Sequence, residues 1–198
     1  MFGRSRPPGG VRSPAAPTLP DKVAAIYERY FDFVWRNARR LGVPDAARDD
    51  VVQDVFVVVC RRLDDFEGRS SIETWLFGIL SHIVTRRRQR DQRRHAKLPL
   101  TSTSDDIADL PAVGQPSPHE LMARRQAVEL LYELLATLDE DKRAAFILIE
   151  LEQRPPLEVA QTTGVNVNTI YSRVRAARQH LEAGIARHRA QQGWRHHA

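Results

Sequence analysis

The spacing of apolar residues is the feature that most constrains how this chain of 198 residues can fold. In two blocks, which a Pro-rich segment separates, apolar side chains recur three and four residues apart, as they do on one face of an α-helix. No segment alternates apolar and polar residues for long, so the pattern gives no support for a sheet. We therefore predict an all-α protein of two small helical domains joined by a flexible linker.

The first block predicts three helices. The first apolar stripe runs from Val23 to Leu41, and Pro44-Asp45 suits the start of the next helix. The second stripe, Val51 to Phe66, has a β-branched centre that taken alone favours a strand. It is long for a strand and keeps helical spacing at both ends, so we predict a helix.

The third helix has a start signal in its sequence. Ser70-Ser71-Ile72-Glu73 reads as a capping box in which Ser70 caps the helix and Glu73 reaches back to it. An apolar stripe from Ile72 to Ile83 follows, and the helix then runs into six arginines between positions 86 and 94. Such a basic helix end suits a polyanionic partner.

Composition marks the segments that flank and separate the two blocks. The N-terminus is rich in Pro, Gly, Ser and Arg and lacks periodic apolar residues, and the segment between the blocks is polar and rich in Pro. The predicted boundaries are a disordered tail at 1–20, a first domain at 21–96, a linker at 97–120, a second domain at 121–188 and a flexible tail at 189–198.

Charge and composition narrow the classes of function. The net charge is +5 and the isoelectric point is near 9.9, which makes a nucleic-acid partner plausible. The single cysteine, Cys60, lies in an apolar run and is interpreted as a buried hydrophobic residue. No apolar segment is long enough to span a bilayer and no secretory signal is present, so we expect a cytoplasmic protein without membrane insertion.

A helix-turn-helix pattern lies near the C-terminus. Pro156 favours the first turn of a helix, and Gly164 can adopt the positive φ of a tight turn. Asn166 is a good N-cap for a second helix, whose inward stripe runs from Val167 to Leu181. The opposite face carries amide, hydroxyl and guanidinium groups, which can bind base edges and phosphates. We interpret the pair as a DNA-binding motif; the alternative is an ordinary αα-hairpin with a solvated polar face.

Three segments, in this order and spacing, resemble a known family. They are 50–56, the stretch from Phe66 through Trp75 to the arginine run, and the region from Leu138 and Arg143 to the helix-turn-helix ending at Arg178. They are similar to the core-binding signature, the promoter-melting part of region 2 and region 4 of bacterial sigma factors of the extracytoplasmic-function (ECF) branch. The resemblance covers about residues 23–95 and 127–185.

The resemblance implies three surfaces and no catalytic site, no metal and no cofactor. It implies that core RNA polymerase is bound by the residues Asp50, Gln53, Asp54 and Phe56. It implies that the −10 promoter element is captured as a single strand by Phe66, Arg69, Ser70, Ser71, Phe77, His82, Arg86, Arg87 and Arg90. It implies that the −35 element is read by Asn166, Asn168, Thr169, Ser172, Arg173, Arg175 and Arg178. The family also implies an anti-sigma factor as a further partner, and no small-molecule substrate.

The chain departs from the family pattern at three positions. His82 stands where the family carries Asn, and Arg86 where it carries Asp, so the −10 preference of this chain is expected to be unusual. Asp139 replaces a proline, which is harmless because aspartate caps helices well. Trp75 lies on the apolar stripe and is expected in the core, whereas Phe77 lies off it and could stack on a base or be buried.

Two other classes of function stay open on the sequence. A conventional helix-turn-helix regulator, acting without polymerase, would have no need of the 50–56 signature together with Trp75 and the arginine run. A small enzyme is disfavoured because the chain has no GxGxxG or P-loop motif and its histidines lack metal-site spacing.

Overall fold

A computed structural model describes residues 18–94 and 117–195, and within them every regular element is helical. Seven α-helices are described, with a 3₁₀ turn at Leu63–Asp65 and a π-helical turn at Ile147–Leu151 between them. Their bounds are α1 Leu19–Arg40, α2 Asp45–Arg62, α3 Ile72–Arg94, α4 Pro118–Ala136, α5 Glu140–Phe146, α6 Pro156–Thr163 and α7 Val167–Arg195. The prediction of an all-α fold is confirmed.

Helices α1, α2 and α3 pack against one another around a buried apolar centre. The valines at the centre of α2 confirm its helical form, because Val51, Val55 and Val59 recur four residues apart and none is exposed to solvent. Val34 of α1 and Leu76 of α3 meet them from the other two helices, also without exposed surface. Each buried aliphatic side chain of this size contributes roughly 1.5–3 kcal/mol, so burial overrides the weak strand preference of valine.

Helices α4 to α7 form the second block. Here α4 and α7 cross closely, since a Cβ atom built on Gly184 would lie 2.3 Å from Cδ2 of Leu134. Leu135, Phe146 and Leu181 belong to the small core between these helices and α5. A larger side chain at position 184 would have to displace the Leu134 side chain, so a small residue suits this helix crossing.

Helix ends agree only in part with the sequence signals. Helix α3 begins at Ile72 and its cap is Ser71, whose Oγ accepts from the Thr74 backbone N–H at 3.2 Å. The prediction that Ser70 caps the helix and Glu73 reaches back to it is therefore wrong. Oε2 of Glu73 instead lies 3.8 Å from Nη1 of Arg154. Asp139 does cap α5, accepting from the Lys142 N–H at 2.9 Å.

The segment boundaries also differ in places from those predicted. Helix α1 begins at Leu19, inside the predicted tail, because Thr18 and Asp21 form a capping box. Helix α4 begins at Pro118, inside the predicted linker, and α7 continues to Arg195, through most of the predicted tail that begins at 189. The remainder of the predicted N-terminal tail and linker lies outside the described residues.

The two blocks share one hydrophobic core. A single cluster of buried side chains joins residues of α1, α2 and α3 to Ile147 and Leu148 of the π-helical turn, Val159 of α6 and Ile170 of α7. All four of these side chains are at most 2% exposed. The second block therefore packs directly on the first, an arrangement that the sequence left undetermined.

Candidate nucleic-acid interface

The exposed edge of α2 carries the acidic and amide groups that the sequence assigned to polymerase binding. Asp50, Gln53 and Asp54 are all exposed, and Asp50 lies 3.4 Å from Nη2 of Arg87 on α3. Phe56 does not belong to this surface, because only 6% of it is exposed and its ring packs 4.7 Å from the Tyr27 ring. The expectation that Phe56 faces a partner is wrong for this conformation, since its position in the helix turns it towards α1.

A cavity of about 940 Å³ lies beside the loop that precedes α3. Phe66, Arg69, Ser70 and His82, four of the predicted −10 residues, line it, and Trp75 lines it as well. The rings of Phe66 and Trp75 are 5.1 Å apart and tilted by 43°, a favourable aromatic pair. The site thus combines an aromatic wall with a guanidinium and an imidazole, the groups that suit an unpaired base and its phosphate.

Helix α3 carries predicted −10 residues of both kinds, buried and exposed. Phe77 is 1% exposed and belongs to the shared core, so its ring is not accessible to a base in this conformation and the expectation of a −10 contact is corrected. Arg86 and Arg90 are exposed, and Arg87 is half-buried beside Asp50. Of these three arginines, Arg87 lies beside the acidic edge of α2, and the exposed Arg86 and Arg90 can meet phosphate without a rearrangement.

The helix-turn-helix has the local geometry that its sequence predicts. Gly164 ends α6 in the left-handed region with φ 69°, and no other atom lies within 4 Å of a Cβ built there. Asn166 caps α7, its Oδ1 accepting from the Asn168 N–H at 2.8 Å. Ile170 and Val174 turn inward with 1% and 5% exposure. The polar face of α7 is left on the surface as a consequence.

The predicted −35 residues lie at the N-cap and along the outer side of α7, and two of their arginines form ion pairs. Exposed on the surface are Asn166, Asn168, Ser172, Arg175 and Arg178, and Thr169 is half-buried. Arg173 pairs with Asp141 of α5, and Arg178 with Glu150 at 2.5 Å. Of the three arginines on this face, Arg175 is exposed and is in no ion pair within the described part of the chain, which makes it the freest of the three for a base edge.

Several polar residues that the sequence did not single out connect the two blocks. Glu158 of α6 accepts hydrogen bonds from the backbone N–H of Ser71 at 2.9 Å and from its Oγ at 2.5 Å. Glu140 accepts from Thr85 Oγ1 at 2.6 Å and from Arg88 at 3.1 Å. These partners are 87 and 52 to 55 residues apart in sequence, so no local pattern could have revealed them.

Glu152 and Arg143 add further links between the blocks. Glu152 accepts from Nδ2 of Asn37 at 3.1 Å and pairs with Arg40. Arg143, which is 4% exposed, donates from Nη1 to the Leu41 carbonyl oxygen at the end of α1, at 2.8 Å. It also donates to the carbonyl oxygens of Ala136, the last residue of α4, and of Leu138, in the turn that follows. One buried guanidinium therefore links the ends of helices from both blocks.

Three of these linking groups have shifted pKa values. Burial alone would raise the pKa of Glu158, but hydrogen bonds from Ser71 and Thr74 hold it below its ordinary value. Burial likewise opposes the lowered pKa of Glu140, which the bonds from Thr85 and Arg88 bring about. Burial, with the nearby Arg88 charge, lowers the pKa of Arg143 to about 10, so this side chain is still cationic at neutral pH.

The described residues hold no group of His, Cys, Asp or Glu side chains that could bind a metal ion. Within the same residues, no helix is long and apolar enough to cross a membrane. Cys60, expected to be buried, is exposed on α2, so that expectation is wrong.

Family models and curated relatives match both blocks. The model of sigma-70 region 2 matches residues 26–94, and that of sigma-70 region 4 matches residues 128–181. The RNA polymerase sigma factor NccH of Alcaligenes xylosoxydans xylosoxydans is 31% identical over 159 residues, which are 80% of this chain and 83% of the relative. The ECF RNA polymerase sigma-E factor of Escherichia coli K12 is 28% identical over 163 residues, 81% of this chain and 79% of the relative.

Solved structures share the fold. The sigma factor RpoE in complex with the anti-sigma factor NepR, from Bartonella quintana, is 23% identical with a TM-score of 0.61, over 81% of this chain and 96% of that one. CnrH in complex with the cytosolic domain of CnrY is 24% identical with a TM-score of 0.57, over 83% of this chain and 87% of that one. At these identities the similarity supports the fold alone.

Proposed function

Because the chain belongs to the sigma-70 family, in its ECF branch, we propose that its three exposed surfaces divide the work of a transcription initiation factor between them. The factor binds core RNA polymerase and directs promoter recognition, DNA melting and initiation. It carries out no chemistry of its own, since the polymerase makes the RNA, and it acts where the polymerase acts, in the cytoplasm. The single observation that carries the assignment is the match of both region models, in order, over 26–94 and 128–181.

We assign polymerase binding to the exposed edge of α2. Asp50, Gln53 and Asp54 are accessible side by side, and an acidic edge suits a basic helical partner through charge complementarity. Phe56 contributes by packing α2 against α1 and not by direct contact. Asp50 already has a partner in Arg87, so Asp54 is the more available carboxylate.

We assign capture of the −10 strand to the cavity beside α3. Phe66 offers an aromatic face, and Ser70, Arg69 and His82 offer polar groups around the same space. The exposed Arg86 and Arg90 continue this surface with positive charge that suits the strand's phosphates. His82 and Arg86 replace the residues usual in the family, so the base preference is where this factor should differ from its relatives.

We assign the −35 element to the exposed face of α7. Asn168, Ser172 and Arg175 project from the first turns of the second helix of the motif, the part that enters the major groove in such motifs. Arg175 can bind guanine in bidentate fashion, whereas Arg173 and Arg178 already pair with carboxylates and suit phosphates. An anti-sigma factor is bound to RpoE in the solved Bartonella quintana complex, and we expect one for this chain as well.

A run-off transcription assay tests the function. Core polymerase and genomic promoter fragments should give discrete transcripts only when the chain is added. Asp54→Arg should remove co-elution with core polymerase and abolish the transcripts, while Glu182→Arg, the same charge change at an exposed position on α7, should leave both intact. Transcripts from the Asp54→Arg chain at the level of the unchanged chain would remove the α2 edge from the interface.

A conventional regulator is not favoured. Such a protein needs only the DNA-binding block, whereas the region 2 model here matches nearly the whole first block. Binding of promoter fragments without polymerase, and no effect on initiation when polymerase is present, would reverse this preference.

A further inference from the structure

The exposed polar face of α7 is flanked by two arginines that already have carboxylate partners. On a helix of about 3.6 residues per turn, Arg173 and Arg178 project to opposite sides of this face. Arg173 pairs with Asp141 in the first turn of α5, and Nη2 of Arg178 lies 2.5 Å from Oε1 of Glu150 in the π-helical turn. Each flank of the predicted DNA-reading face therefore carries an ion pair.

The ion pairs draw the guanidinium groups back towards the inner side of α7. Phe146 of α5 shares a core with Ala177 and Leu181 of α7, so α5 and the turn that follows it lie behind the recognition helix. The Arg173 side chain is 23% exposed, whereas that of its partner Asp141 is 67% exposed. A phosphate that approaches Arg173 from the solvent therefore meets a carboxylate, which has the same sign of charge.

Charge balance at the flanks bears on how tightly α7 can hold DNA. Phosphate contacts are the same on every sequence, and each phosphate that a protein neutralises releases counterions. An arginine that its own carboxylate neutralises contributes less to this release, because the carboxylate stays beside it or must first be displaced. Arg175 lies between the two flanks, is exposed, and forms no ion pair with any residue that the structure describes. The face thus offers one available guanidinium and two whose charge is already balanced.

We propose that Asp141 and Glu150 are built-in counterions that restrain the binding of region 4 to DNA of any sequence. The inference rests on the proposed function, because the face concerned is the one assigned to the −35 element. Since the flanking phosphate contacts are weakened, the base contact of Arg175 supplies a larger share of the binding free energy. Non-promoter DNA, which offers the phosphate contacts alone, holds the chain weakly as a result.

Fluorescence anisotropy with a labelled non-promoter duplex tests the proposal on the full chain. Asp141→Asn and Glu150→Gln each remove the charge of a carboxylate and keep the shape of its side chain. Each should tighten duplex binding, by at most about eightfold at about 0.1 M salt. The plot of log affinity against log salt concentration should become steeper by up to about 0.9, the slope that belongs to one additional phosphate.

Two controls separate release of an arginine from a simple change of net charge. Glu133→Gln makes the same charge change at an exposed position of α4 and should have a smaller effect. In the Arg173→Gln chain, Asp141→Asn should tighten binding less than it does in the unchanged chain, because it then relieves only repulsion between the carboxylate and phosphate. Arg178→Gln serves Glu150→Gln in the same way.

Each other result contradicts a stated part of the inference. Duplex affinity that stays the same in both carboxylate variants, or that Glu133→Gln raises equally, would overturn the counterion role. Weaker binding would overturn it as well, and would show that the carboxylates position the arginines for DNA. Equal tightening with and without the arginine would leave repulsion as the whole effect and refute the release of a guanidinium.

Run-off transcription distinguishes failure of this inference from failure of the proposed function. If the variants tighten duplex binding as expected but the unchanged chain directs no transcript, the sigma-factor function fails while the counterion role stands. If the unchanged chain directs transcripts but the variants bind the duplex as it does, the counterion role alone fails.

Discussion

Truncation of Ile170 tests how the recognition helix is held in place. This residue lies on the first turn of α7, 1% exposed, on the side opposite the polar face. Ile170→Val removes one buried carbon and should lower the free energy of unfolding by about 0.5–1.5 kcal/mol. Ile170→Ala removes three buried carbons, which at ~0.8 kcal/mol each lowers the free energy of unfolding by about 2.4 kcal/mol. The cavity left behind brings the total loss to roughly 3–4 kcal/mol.

Urea unfolding followed by far-ultraviolet circular dichroism measures the series. The midpoint should fall progressively from the unchanged chain to Ile170→Val to Ile170→Ala, with a thermal midpoint lower by roughly 2–4 °C per kcal/mol for a chain of this size. The neighbouring Tyr171 is 58% exposed, so Tyr171→Ala should change the free energy of unfolding by at most about 0.5 kcal/mol. Equal losses at positions 170 and 171 would refute the inward orientation on which the DNA-reading face depends.

Other predictions concern promoter binding, the turn and pH. Arg175→Ala should weaken promoter binding by roughly 1–3 kcal/mol and relax preference at one base pair in a competition assay; equal weakening on every sequence would indicate a phosphate contact instead. Gly164→Ala should cost about 1–2 kcal/mol in urea unfolding through backbone strain alone, since nothing lies within 4 Å of the new Cβ, and no loss would contradict the left-handed turn. The folded-state pKa of Glu158 is lowered below its ordinary 4.5, so its stabilisation is present above pH 4.5 and is lost as the pH falls through the lowered value. The stability gap between the unchanged chain and Glu158→Gln should therefore narrow in acid, and a gap independent of pH would refute the charged contact.

Capping illustrates how far local reasoning reaches. Gly164 and Asn166 form the predicted turn and cap because both depend on backbone conformation within a few residues. At α3 the same reasoning chose Ser70 where the structure uses Ser71. Adjacent serines are equivalent as sequence signals, and what distinguishes Ser71 in the structure is its contact with Glu158 of the distant α6.

Aromatic candidates show where the site could not be predicted. Phe66 lines the cavity as expected, and Trp75, expected in the core, is only partly buried against it and lines the same cavity. Phe77 and Phe56 lie in the core. Both phenylalanines lie on helices that are packed on more than one side, so no single stripe defines which face is buried. Exposure there depends on where α1 and the second block pack.

The sequence by itself determined the helices, the helix-turn-helix and the family, because helical periodicity, turn residues and motif order are recorded within short stretches of chain. Only the tertiary structure decided that Glu158 of α6 binds Ser71 and that Glu140 binds Thr85 and Arg88. It also decided that both blocks share one core. These contacts join residues 52 or more positions apart, across a Pro-rich segment whose composition carries no information on how its ends are placed. They form because buried apolar area and paired charges are gained only when the separate helical faces come together in three dimensions.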